Sequence, residues 1–173
     1  MKSRPSFADV LAFNVAVLAQ GRTLAERYAD EREEAFRAHV GPHLRHIIEH
    51  YEALLEREPG ALVDYDHRAR DRSVERSPRI ALARLARLAE RLRGLKHHAP
   101  AEALSVGFSI GIDGAEFYLS PSTLVRELNF VASHAIHHYA IIRPLVEAAG
   151  LSLPEEFGKA PETVRYEQLQ WAS

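Results

Sequence analysis

Three histidines fall within five residues of an otherwise apolar stretch, "FVASHAIHHYAI" (130–141), and four more crowd "HVGPHLRHIIEHY" (39–51). These two clusters hold seven of the ten histidines in the chain. The 173 residues contain no cysteine, which excludes disulfides, thiolate nucleophiles and cysteine-based zinc sites. His, Asp and Glu remain as the strong metal ligands, and imidazole suits zinc, nickel and iron. A helical side chain advances about 100° per residue, so His134 and His138 share one face, a turn apart, with His137 turned about 60° from His134. His43, His46 and His50 stand at i, i+3 and i+7 and form a second stripe. Two histidines from the later helix and one from the earlier can hold a single divalent ion. Three protein ligands leave a coordination position open for water, thiol or substrate, as catalytic zinc sites do. His39, His67, His97 and His98 gain nothing from this spacing and read as exposed or loop residues.

Around these candidates lie residues with conditional roles. His50, Glu49 and His137 flank the ligand positions as acid–base groups, and Glu49 is three residues past His46. His43 and Glu127 are candidates to orient ligands, Glu127 standing seven residues before His134 on the same stripe. Tyr65, Arg68 and Arg70, beside Asp66 in a charged loop, are candidates to bind an anionic substrate group. Competing chemistries are absent by motif. There is no H-E-x-x-H of a zincin, no Glu-x-x-His of paired-carboxylate di-iron bundles and no phosphate-binding loop. The H-x-x-x-x-D pair of a haemerythrin-like oxygen carrier is missing too. Histidine ligation without those carboxylates favours one ion over two.

The elements that must position these side chains follow from apolar periodicity. A first helix is expected over Phe7–Tyr28, where Phe7, Val10, Leu11, Asn14, Val17 and Leu18 repeat at helical spacing. Lys2 and Arg4 before this run faintly resemble a signal peptide, but Asp9 and Asn14 interrupt it, and the run is too short to span a bilayer. Glu31–Glu34 form a charged connection. A second helix is expected over about Val40–Glu56, with Pro42 in its first turn. Residues 59–78 read as a long polar connection. The third helix starts at Ser77 (N-cap) and Pro78, and Ala81, Leu85, Leu88, Leu92 and Leu95 form its seam. Residues 104–120 alternate around Asp113-Gly114, a hairpin signal. The fourth helix is expected from an N-cap at Ser120 to about Ala149, with Pro144 kinking it, and a short tail helix from Pro161. The pattern is an all-α, up-and-down four-helix bundle with a short β-hairpin insertion before the fourth helix, in one domain over 1–173. Net charge is −2, so nothing suggests nucleic acid as a partner, and no segment reads as membrane-spanning. The absence of disulfides sits easily with a cytoplasmic location.

With these elements in place, "GPHLRHIIEHY" followed by H-x-x-x-H resembles the DinB/YfiT-like superfamily of four-helix-bundle metalloproteins. The stretches "VDYDHRARD" (63–71), "LVRELNFVASHAIHHYAI" (124–141) and "FGKAPETVRY" (157–166) extend the resemblance to a DinB-related group over nearly the whole chain. The resemblance implies one divalent ion held by a histidine of the second helix, here His46, and by His134 and His138. It also implies a metal-dependent hydrolase or a transferase using a low-molecular-weight thiol, acting on a small-molecule substrate. A non-enzymatic metal-binding or interaction bundle, a sensor or stress-related protein, is the alternative. The hairpin and the charged loop depart from the transferases of that superfamily. Oligomeric state is open, a homodimer included.

Overall fold

The computed structural model describes residues 4–29 and 33–171; Lys2, Glu31 and Arg32, part of the stretches discussed above, lie outside them. Helix α1 (Phe7–Glu26) is capped by Ser6, whose hydroxyl accepts from the Asp9 amide while the Asp9 carboxylate accepts from the Ser6 amide. A short turn, α2 (Glu33–Ala35), passes through one π-helical turn (Phe36–Val40) into α3 (Gly41–Leu55). Strand β1 (Val63–Asp64) and helix α4 (Arg72–Arg76) follow, then α5 (Pro78–Gly94), begun by the expected Ser77 cap and Pro78. A 3-10 turn (Leu95–His97) leads to β2 (Ala103–Ile110) and β3 (Glu116–Thr123), and the chain ends in α6 (Leu124–Ala148) and α7 (Pro161–Trp171).

Helix α1 packs on α5 and α6, and α3 packs on the same two, so four amphipathic faces enclose one core. Leu18 and Leu24 of α1 meet this core with Leu44 and Ile48 of α3, Leu85 and Leu88 of α5, and Leu128 and Ile142 of α6; all are buried. Asn14, polar yet buried, accepts a hydrogen bond from the Tyr51 hydroxyl at 2.9 Å. Gly41 marks where α3 passes closest to α4. A Cβ there would lie 1.9 Å from the Glu75 carbonyl oxygen, so no larger residue fits.

Two expectations change. The chain is mostly helical but carries a three-stranded sheet in the order β1-β2-β3, not a bare hairpin on an all-α frame. Val63 and Asp64, inside the supposed polar connection, pair in parallel with Val106 and Gly107. A two-residue strand is too short to show alternation, so only its partner reveals it. The second change concerns the start of α6. Ser120 and Pro121 do not cap it; they belong to β3, paired with Val106 and Ser105, and Thr123 is the N-cap. Pro121 is accommodated on β3, a strand at the sheet edge, where proline is tolerated. Helix α6 runs through Pro144 to Ala148.

Candidate metal centre

Because α3 and α6 pack face to face, their histidine stripes meet across the interface. One ligand nitrogen each from His46, His134 and His138 falls within 4.8 Å of the others. The Nε2 atoms of His46 and His134 are 2.8 Å apart, and Nδ1 of His138 lies 2.9 Å from Nδ1 of His43. His138 thus turns Nδ1 outward to His43 and leaves Nε2 for the cluster, the arrangement in which a neighbour fixes the tautomer of a ligating imidazole. Three half-buried imidazoles with an outer partner on His138 form a donor set suited to one borderline divalent ion.

Desolvation keeps this cluster neutral. Burial, with lesser contributions from His50 and Arg68, pushes His46 from its ordinary value down to about 2. Burial likewise lowers His138 to about 4 and lowers His134 and His43. Neutral imidazole is the ligating form.

His50, one turn after His46, is buried and donates Nδ1–H to the His46 carbonyl oxygen at 2.7 Å, so its Nε2 carries the lone pair. Burial holds it at about 4. Its ring stacks on Tyr65, 5.4 Å between centroids and 12° from parallel. Both line a cavity of about 420 Å³ between the sheet and α6, with Val106, Phe108, Arg126 and Phe130 among the other walls. Phe130 in turn stacks on His134, so the cavity abuts the histidine cluster.

The remaining candidates are dispersed. Glu127 is buried, and its bonds go to residues other than the three histidines. It accepts from Tyr65 Oη at 2.9 Å, from Ser122 Oγ at 2.5 Å and from Arg126 Nη1 at 2.9 Å, tying the charged loop, β3 and α6 together. That burial and the bond to Glu127 push the Tyr65 phenol upward, burial being the larger cause. Glu49 is buried too, but its carboxylate faces the 66–71 loop: Oε1 accepts from the Asp71 amide at 2.6 Å, and Oε2 lies 3.8 Å from Arg68 Nε. Arg68 reaches inward and donates Nη2–H to His46 Nδ1 at 3.2 Å. Arg70 is exposed, at φ 51°. His137 is exposed, edge-on to His138 at 5.8 Å. His39, His67, His97 and His98 are exposed. Ser122, Arg126 and Phe130 escaped the sequence reading. Phe130 and Arg126 stand one and two turns before His134, so extending the histidine stripe backward along α6 would have found both.

The fold and site define a predominantly helical protein with a three-histidine centre between two helices. The DinB superfamily model matches residues 6–142, which include both histidine clusters, and the chain belongs to that superfamily. It is also similar to FK506-binding protein 5 of Rhizopus delemar, 29% identical over 109 residues. Those residues are 63% of this chain but 28% of that protein, so the chain spans little more than a quarter of that relative's length. No solved structure matches the chain.

Proposed function

We propose that the chain is a metal-dependent enzyme of hydrolase or thiol-dependent transferase type, with His46, His134 and His138 holding one divalent ion, zinc, nickel or iron. The observation that carries this reading is the convergence of three neutral imidazoles within 4.8 Å beside a cavity large enough for a small molecule. Membership of the DinB superfamily supports it. The mutual packing of α1, α3, α5 and α6 supports an up-and-down four-helix bundle, folded as one domain.

When bound, such an ion acts as a Lewis acid that lowers the pKa of a bound water or thiol. The chain's own residues supply the rest. His43 holds the His138 ring. His50, neutral and with Nε2 as acceptor, receives a proton from a group entering the cavity. Tyr65 and Phe130 give that group an aromatic wall. Glu49 serves as anchor of the charged loop, not as base.

The test is metal analysis of protein purified without a histidine tag. A stoichiometric ion, lost in His138→Ala, is expected; no ion in either protein would sink the proposal. A second reading is favoured by the direct contacts His46–His134 and His43–His138, which also describe a closed hydrogen-bonded histidine network in a non-enzymatic bundle. That reading expects the same thermal stability with and without added metal.

A further inference from the structure

Arg68 stands in an unusual place for a residue beside a ligand. A neutral imidazole that ligates through one ring nitrogen carries its proton on the other, and that N–H ordinarily donates to a carboxylate, carbonyl or water. At His138 the outer nitrogen faces His43, which can accept. At His46 the outer nitrogen, Nδ1, faces a guanidinium, and a guanidinium only donates. With Arg68 in this position His46 must carry its proton on Nε2, the nitrogen turned toward His134. Its ligating lone pair is then absent from the cluster, and a full positive charge sits 3.2 Å from the ring.

Arg68 also has a second seat close by. Its Nε is buried with no hydrogen-bond partner, and so is Oε2 of Glu49, the two lying 3.8 Å apart. A displacement of about 1 Å would bring them into a charge-assisted hydrogen bond of ordinary length. The carboxylate is already in place, because Glu49 is buried on α3 and its other oxygen is held by the Asp71 amide. The loop that carries Arg68 is tethered at its start, where Asp64 accepts from the amides of Asp66 and His67, and at its end by Asp71.

We propose that Arg68 sets the metal affinity of the three-histidine centre by choosing between two partners. Donating to His46 Nδ1 it holds the non-ligating tautomer; drawn onto Glu49 it frees Nδ1 to carry the proton and Nε2 to ligate. This rests on the metal-centre reading above and makes Arg68 a positioning residue of that centre, with the charged loop as its carrier.

The test is zinc affinity, measured by competition with a chromophoric chelator on untagged wild type and three variants, with folding checked by circular dichroism. Arg68→Gln removes the charge and offers an amide oxygen that accepts from Nδ1–H, so zinc should bind at least about 10-fold more tightly. Arg68→Met removes the charge without offering an acceptor and should bind more tightly by a smaller factor. Arg68→Lys keeps a cationic donor and should stay near wild type. Zinc bound equally or more weakly by both the Gln and Met variants overturns this inference while leaving the metal centre standing. Zinc bound by none of the four proteins overturns the metal-centre reading itself, and this inference with it.

Discussion

At His46 the environment acts on one ring from several sides: the packing of α3 on α6 half-buries it, His134 meets Nε2 and Arg68 meets Nδ1. The result is a histidine that resists protonation, as His50 and His138 do. Their folded pKa values, about 2 for His46 and about 4 for the other two, lie below the ordinary 6.5. The unfolded chain therefore takes up protons that the folded one refuses as the pH falls, and folding loses stability in that direction. The stabilising contribution is complete above 6.5 and is lost progressively from there toward about 4 for His50 and His138 and toward about 2 for His46. With a chelator present, the melting temperature followed by circular dichroism should fall between about pH 7 and about pH 5. A melting temperature that is flat or rises over that interval would contradict the buried neutral cluster. The spacing made His134 and His138 legible as a pair, since one helix settles their relation. It left His43, His46 and His50 equivalent, because which of them faces α6 depends on how α3 is rotated in the core.

At the scale of elements, two joints tie the site to its frame. The first is Glu127, a buried carboxylate whose oxygens are shared among Tyr65 after β1, Ser122 of β3 and Arg126 of α6. Removing the Tyr65 hydroxyl leaves Glu127 Oε2 without that donor in a buried place. Tyr65→Phe should therefore cost about 1–3 kcal/mol in urea unfolding at neutral pH. The second joint is the tail. Phe157 is buried against Tyr139, and Gly158, at φ 69°, lies against α6 where a Cβ would come 2.7 Å from the Ala140 amide nitrogen. Gly158→Ala combines a left-handed backbone with that contact and should cost about 2 kcal/mol or more by the same measurement. Helix starts at Ser6 and Ser77 were legible because capping is local chemistry. The start of α6 was misread because Ser120-Pro121 has the local form of a cap, and only pairing with β2 assigns it to a strand. The 63–71 stretch hid its strand for the same reason.

For the whole molecule, the centre links two helices that are 88 residues apart at their contact pair, His46 and His134. An ion held there must stabilise the folded chain by mass action. Zinc at about a hundredfold over its dissociation constant contributes about 2.7 kcal/mol, or about 5–10 °C in melting temperature for a chain of this size. Differential scanning calorimetry should show this rise in wild type and its loss in His138→Ala, which keeps the rest of the core.

The sequence by itself determined the helical stripes, the absence of any cysteine thiol in the chain and the pairing of His134 with His138, because each depends on residue type and on a period of a few residues. The family resemblance pointed to His46 as their partner, and the tertiary structure brought it to them; tertiary structure alone showed that Glu127 bonds Tyr65, Ser122 and Arg126 and that Arg68 turns inward onto His46. Those relations depend on how α3, α6 and the 63–71 loop are rotated and packed against one another. The core contacts that set those rotations join residues far apart in the chain, so no local pattern carries them.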